Sequence, residues 1–253
     1  MDLRVSRRVG LRTIICMIVA ASAIVIPNAM AAPSSIAGMV VFIDPGHNGS
    51  NDGSINRQVP TGRGGTKDCQ TSGTATNSGY MEHTFTWDTA LRVRAELNAL
   101  GVRTALSRAN DNGLGPCVDE RANAANALRP NAVLSIHADG GPPSGRGFHV
   151  NYSAPPFNQV QAGPSVQYAR IMRDQMQASG IPPANYIGQN GLYGRSDLTG
   201  LNLAQYPSIL VECGNMKNPA DSALMESAEG RQKYADALVR GVAGFLASQG
   251  QAR

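Results

Sequence analysis

The chain has 253 residues, a formal net charge of +4 and a mean hydropathy of −0.20. Beyond residue 32 its Lys and Arg residues form no run, which excludes a basic nucleic-acid footprint and a polybasic membrane patch. The length fits one ordinary domain with a sizeable core.

Residues 1–32 have the pattern of a secretory signal peptide. Four arginines precede an apolar run over residues 14–26 and a small-residue cleavage site at 29–32. The run is shorter than the ~20 residues that span a bilayer, and an uncleaved anchor is the alternative. The segment holds four basic residues and one acidic residue, so the remaining chain has a net charge of +1. Residues 6–11 loosely resemble a twin-arginine signal, and the export route stays open.

We therefore expect an exported protein of the periplasm, cell wall or extracellular space, with no stable membrane span after cleavage. Residues 33–253 alternate short apolar runs with helical patterns, which predicts a single α/β domain: a mainly parallel, twisted sheet flanked by helices. The predicted strands are 40–43, 102–107, 132–137, 147–152 and 209–212. The predicted helices are 82–100, 118–128, 165–178 and 230–248.

Three loops separate these elements, and the longest covers residues 48–79. It is rich in Gly, Asn, Ser and Thr. A structureless loop of this length is usually functional or disordered, so we expect it to act as a lid over a site. The loops at 140–147 and 181–201 are rich in Gly and Pro, and the second is expected to contact substrate.

Four cysteines are present, and Cys16 leaves with the signal. Cys69 and Cys117 lie in polar, Gly-rich loops, whereas Cys213 lies in an apolar run. Since an exported protein meets an oxidising environment, we predict a Cys69–Cys117 disulfide and a buried free thiol at Cys213. Two unpaired loop thiols are the alternative.

Polar groups that can bind metal or move protons follow three predicted strands: His47, His137 and Glu212. In open α/β sheets the carboxyl ends of the strands form the ligand-binding edge. Glu82 shares the core-facing side of its helix with Phe85. Two histidines and a carboxylate form a frequent catalytic zinc shell. Taken singly, each histidine also fits a strand-end hydrogen-bonding role, and Glu82 fits a first-turn carboxylate.

The chain resembles the zinc-dependent N-acetylmuramoyl-L-alanine amidases of the amidase_3 type, over about residues 39–246. The segments that carry the resemblance are Val41–His47 (VFIDPGH), Gly79–Glu82 (GYME), Val118–Asn123 (VDERAN), Ala132–Ala138 (AVLSIHA) and Pro207–Glu212 (PSILVE). The chain departs from the family's pattern in a longer interval between His47 and Glu82, which holds Cys69. An expanded stretch after Arg108 holds Cys117, and Gly214-Asn215 stands where Gly-Phe is usual.

The resemblance implies a phosphorylase/hydrolase-like fold and one Zn²⁺ per chain, held by His47, Glu82 and His137, with Glu212 as the catalytic carboxylate. Residues 33–253 would be the amidase domain, without a separate wall-binding domain. Peptidoglycan fragments or muropeptides would be the partners of a monomer that binds no nucleic acid. Asp44 either steadies His47 or simply forms a turn before Pro45.

Two other functions compete with the amidase. A zinc peptidase or deacetylase would use the same ligands on another wall substrate. A non-catalytic peptidoglycan-binding or regulatory protein would use the same cleft without turnover. Without an appended wall-binding module, we expect short muropeptides to be better substrates than intact wall.

Overall fold

The computed structural model describes residues 1–2 and 36–250. The predicted signal peptide therefore lies outside the described residues, apart from its first two positions. Within the described part, no helix is both long enough and apolar enough to cross a bilayer.

A single sheet of six strands forms the centre of the domain. The larger elements follow the chain in this order: β1 (Val40–Pro45), β2 (Gln58–Pro60), β3 (Thr66–Asp68), α1 (Glu82–Ala99), β4 (Arg103–Leu106), α2 (Val118–Leu128), β5 (Ala132–Asp139), β6 (His149–Ser153), α3 (Gln159–Ala162), α4 (Pro164–Ala178), β7 (Leu192–Arg195), α5 (Thr199–Asn202), β8 (Ser208–Asn215), α6 (Pro219–Glu226) and α7 (Ala228–Gly250).

The strand order of this sheet is β4-β1-β5-β8-β6-β7, and within it only the β6–β8 pair is antiparallel. This confirms the predicted α/β class with a mainly parallel sheet. Strands β1, β5 and β8 are parallel neighbours, so their carboxyl ends lie side by side. The sheet thereby places three distant parts of the sequence at one edge.

The two faces of the sheet are packed differently. One face carries the apolar core, where Ile43, Leu134 and Val211 are fully buried with side chains of α1, α4 and α7. On the opposite face, Phe42 and Leu210 lie outside this core cluster and line a cavity beside α2 and α5. Successive side chains of each strand point to opposite faces, so one face packs in the apolar core and the other lines the cavity.

Several short elements lie where the sequence predicted only loops. Residues 48–79 contain a 3-10 turn, Gly53–Asn56, and the antiparallel β2–β3 hairpin. Residues 181–201 contain β7, which extends the sheet at its edge. These strands have three or four residues, too few for a hydrophobic period to be recognised.

The hairpin is tied to α2 by the predicted disulfide between Cys69 and Cys117, whose Cα atoms are 4.5 Å apart. The bond lies in a small apolar cluster with Val59, against which Val118 packs. Cys213 is a buried free thiol, as predicted. The covalent link fixes the long loop beside the site-bearing face of the sheet.

Candidate metal centre

The structure brings the three predicted ligands together at the carboxyl edge of the sheet. His47 follows β1, His137 lies on β5 and Glu82 is the first residue of α1. One donor atom from each residue lies within 4.8 Å of the others. His47 and Glu82 are 35 positions apart in the sequence, and Glu82 and His137 are 55 apart, yet the three residues form one candidate metal centre.

Glu82 lies between the two imidazoles. Its Oε2 is 2.9 Å from His47 Nε2, and its Oε1 is 3.0 Å from His137 Nδ1. The backbone N–H groups of Thr74 and Ala138 donate to the two carboxylate oxygens at 3.0 and 3.1 Å. Burial opposes ionisation, but the neighbouring imidazoles lower the pKa of Glu82 below its ordinary value. Glu82 is therefore an anion at neutral pH.

The hydrogen bonding of His47 determines which of its nitrogens faces the centre. Its Nδ1 donates to the carbonyl of Thr71 at 2.9 Å, so in the neutral ring the lone pair is on Nε2, which faces Glu82. Either a proton or a metal ion then lies between Nε2 and the carboxylate oxygen. Two imidazoles and a carboxylate are also a common catalytic zinc set, so these side chains fit a divalent ion such as zinc.

The turn that carries His47 is strained and tightly packed. His47 has φ 61°, a left-handed conformation that is uncommon for a residue with a Cβ. Gly46 lies against the His137 ring, and a Cβ there would overlap the ring atoms. Gly73, with φ +77°, lies against Glu82 and His47 in the same way. Glycine at both positions is what allows the backbone to approach the ligands.

We expect Gly46→Ala to weaken zinc binding by at least about tenfold, because the added methyl group displaces the His137 ring. Competition with a chromophoric chelator measures this affinity. Gly53→Ala is the matched control, since a Cβ at Gly53 has open space around it. Equal zinc affinity in Gly46→Ala and wild type would contradict this account of the packing.

Arg121 links Asp44 to the backbone of His47; no hydrogen bond joins Asp44 to the His47 ring among the described residues. Arg121 donates through Nη1 to Asp44 Oδ1 at 2.9 Å and through Nη2 to the His47 carbonyl at 2.7 Å. Asp44 also accepts from Ser107 and Ser135 at 2.6 and 2.7 Å. Burial raises the pKa of Asp44, but Arg121 and the two serines together lower it to about 2.

Glu212 lies beside the centre on β8, directly opposite His137 in the strand register. It lines the same cavity as the three ligands, and its Oε2 is buried without a hydrogen-bond partner. Burial, with the nearby charges of Glu82 and Asp139, raises the pKa of Glu212 well above its ordinary value. A raised pKa makes a carboxylate a stronger proton acceptor than an ordinary one.

The cavity has a volume of about 380 Å³ and continues from the ligands along the α2 side of the sheet. Its polar end contains His47, Glu82, His137 and Glu212. Its other end has a largely apolar lining: Phe42, Val118, Ala122, Ala125, Val133, Leu198, Leu201, Ala204, Ile209 and Leu210. The centre is therefore open to a ligand larger than water.

Part of the predicted lid has a different role. The segment after the hairpin holds the ligands, since Thr71 accepts from His47 and Thr74 donates to Glu82. The hairpin itself lines the cavity with Lys67 and Asp68. The segment after the hairpin is therefore part of the centre, and the hairpin remains a candidate cover.

The other two histidines are not among the converging ligands. His83 pairs with Asp111, Nδ1 to Oδ1, at 2.9 Å. His149 is the first residue of β6 and is 1% exposed. The sequence motifs assign no separate role to Arg121. In the structure it shares the buried side of α2 with Ala122 and Ala125.

Fold and candidate metal centre together are typical of a hydrolytic α/β domain, and residues 41–244 match the N-acetylmuramoyl-L-alanine amidase family. The chain belongs to this family. It is 82% identical over 240 residues to N-acetylmuramoyl-L-alanine amidase Rv3717 of Mycobacterium tuberculosis, covering 95% of this chain and 100% of that protein.

Two crystal structures of amidases are similar to this chain. The N-acetylmuramyl-L-alanine amidase Ami1 of Mycobacterium smegmatis is 77% identical with a TM-score of 0.85, over 85% of this chain and 100% of that one. The apo Ami1 of Mycobacterium abscessus is 64% identical with a TM-score of 0.83, over 83% and 100%.

Proposed function

We propose that this protein is an exported, zinc-dependent N-acetylmuramoyl-L-alanine amidase. It hydrolyses the amide bond between the lactyl carbonyl of N-acetylmuramic acid and the amine of L-alanine, in peptidoglycan or muropeptides, during cell-wall remodelling or recycling. The observation that carries this proposal is the convergence of His47, Glu82 and His137 beside Glu212 in one open cavity. Residues 1–32 would direct export, and residues 33–253 would form the catalytic domain.

The reaction needs a nucleophilic water, a base and an acid. Zinc, when bound by His47, Glu82 and His137, would lower the pKa of water and polarise the scissile carbonyl. Glu212 accepts a proton from the attacking water and passes it to the departing amine nitrogen. The raised pKa of Glu212 makes it a stronger proton acceptor than an ordinary carboxylate, so it can hold the proton between the two transfers.

The decisive experiment is mass analysis of muropeptide digests with and without a chelator. We expect a product with a free alanine amino terminus, its loss after zinc removal, and its return when zinc is restored. Free acetate would instead indicate a deacetylase, and cleavage within the peptide a peptidase. Absence of turnover by zinc-loaded protein would favour a binding or regulatory role.

The β2–β3 hairpin is expected to limit access of large substrates. Arg63 at its tip donates to Asn202 at 2.8 Å and to Ser153 at 2.9 Å, and its guanidinium lies 4.0 Å from the Phe157 ring centre. Arg63→Ala removes these contacts without touching Thr71. We expect it to increase the rate on polymeric peptidoglycan relative to a short muropeptide.

Dye release from labelled sacculi and muropeptide hydrolysis measure the two rates for Arg63→Ala. Arg94→Ala is the control, because Arg94 is exposed on α1, outside the hairpin. An unchanged ratio of the two rates in Arg63→Ala would remove the cover hypothesis and leave the hairpin a structural element.

A further inference from the structure

His149 is a buried histidine that the reaction outlined above does not use. It is 1% exposed, and its Nδ1 has no hydrogen-bond partner among the described residues. Its ring packs edge-on against Tyr186 and Tyr193, with centroids 6.4 and 6.0 Å away. Burial lowers the pKa of His149 to about 4, so the ring is neutral and carries one donor and one acceptor nitrogen. Leaving such an atom unpaired in the interior is costly.

The residue directly opposite His149 is Glu212. The two face each other in the antiparallel β6–β8 pair. Side chains opposite each other in such a pair lie on the same face of the sheet, with Cβ atoms about 4.5–5.5 Å apart. Glu212 Oε2 is also buried without a partner. Two unpartnered polar atoms therefore belong to neighbouring side chains on the face that lines the site.

We propose that His149 is a positioning residue for Glu212. Its Nδ1–H donates to a bridging water that in turn donates to Oε2 of Glu212, since no direct hydrogen bond joins the two atoms in the structure. This bridge fixes the rotation of the carboxylate and leaves Oε1 to accept the proton of the attacking water. The inference rests on the proposed function, in which Glu212 is the base. It adds a residue whose contribution is to orient that base, without contact to metal or substrate.

Three substitutions of His149 separate hydrogen bonding from packing. His149→Phe keeps an aromatic ring between the tyrosines but removes both nitrogens. We expect kcat to fall about 10- to 100-fold, with KM within about twofold and zinc content unchanged. His149→Asn places an amide near the position of Nδ1 and should restore most of the activity. His149→Gln places its amide near Nε2 and should not.

Asn151→Leu is the matched control. Asn151 lies on the same face of β6, is fully buried, and has an unpartnered Oδ1, but it faces Leu210 instead of Glu212. We expect its kcat to match that of wild type at temperatures where it is folded. Thermal melts of all variants show whether each is native.

The proposal is overturned if folded His149→Phe has a kcat within twofold of wild type, or if Asn restores no more activity than Phe. Should His149→Phe not fold, a high-resolution structure of the zinc-loaded wild type decides. The proposal is contradicted if that structure shows neither a direct hydrogen bond nor a shared water between His149 Nδ1 and Glu212 Oε2. If wild type itself does not hydrolyse muropeptides, the proposed function fails instead, and the two failures are thereby distinguished.

Discussion

Replacing Glu212 by Gln is expected to lower kcat for muropeptide hydrolysis by about 10²- to 10⁴-fold while zinc remains bound. Glutamine keeps the shape of the side chain but cannot accept the proton of the attacking water. The three residues that would hold zinc are unchanged, so metal content should stay at one ion per chain. Steady-state kinetics and elemental analysis of the same purified sample measure both quantities.

The same substitution should leave the folded state at least as stable as wild type. Glu212 carries a buried carboxylate oxygen close to the charges of Glu82 and Asp139, and both effects raise its pKa. Ionising it at this position is costly, and a neutral amide avoids that cost. A lower kcat together with an unchanged or higher Tm would indicate that Glu212 is kept for activity at the expense of stability.

Glu229→Gln is the control for Glu212→Gln, because Glu229 is an exposed carboxylate near the start of α7. It should match wild type in kcat, zinc content and Tm. Loss of zinc from Glu212→Gln would mean that Glu212 is itself a ligand. Activity within about threefold of wild type would mean that another group acts as the base.

The sequence predicts the central fold well, because its signals there are long and local. The apolar runs at the start of β1, β5 and β8 are the signal of buried parallel strands. Parallel pairing then places His47, His137 and Glu212 at one edge. Helix α1 has apolar residues at helical spacing and ends at Ala99, one residue before the predicted end and shortly before Gly101. These elements position the whole candidate centre.

The parts that sequence reasoning missed depend on long-range contacts. The hairpin is held by a disulfide and by side-chain bonds from Arg63, which no local pattern reveals. The support from Thr71 and Thr74 comes through backbone groups, for which residue identity carries little information. Arg121 did leave a signal, since a charged residue lies on the apolar stripe of α2 between Val118 and Ala125. A charge in that position needs a buried partner.

Replacing Arg121 by Met is expected to destabilise the protein by about 3–5 kcal/mol and to weaken zinc binding by about 10- to 100-fold. Arg121 is 4% exposed. Besides Asp44 and the His47 carbonyl, its guanidinium binds Pro45 O at 2.8 Å, Asn48 Oδ1 at 2.8 Å and Pro116 O at 3.0 Å. Methionine fills similar space but leaves the Asp44 carboxylate without its counter-charge and removes all of these hydrogen bonds. The turn that carries His47 then loses its anchor.

Urea unfolding and chelator competition measure the two losses for Arg121→Met. Arg94→Met is the control, since Arg94 is exposed on α1. The stability and zinc affinity of Arg121→Lys should lie between those of wild type and Arg121→Met. An ammonium group lacks the planar fork with which the guanidinium binds Asp44 and the His47 carbonyl together. A change in Arg121→Met no larger than in Arg94→Met would show that the buried network does not support the turn.

The pH dependence of stability provides an independent test of the Asp44–Arg121 pair. The folded-state pKa of Asp44 is about 2, below its ordinary value of 3.8, so its contribution is complete above about pH 4 and is lost as pH falls toward 2. A difference of this size corresponds to about 2 kcal/mol. In Asp44→Asn this part of the acid dependence should disappear, whereas stability above pH 4 should be lower than in wild type. If wild type and Asp44→Asn lose stability in parallel between pH 4 and pH 2, Asp44 is not the group that Arg121 holds in its charged form.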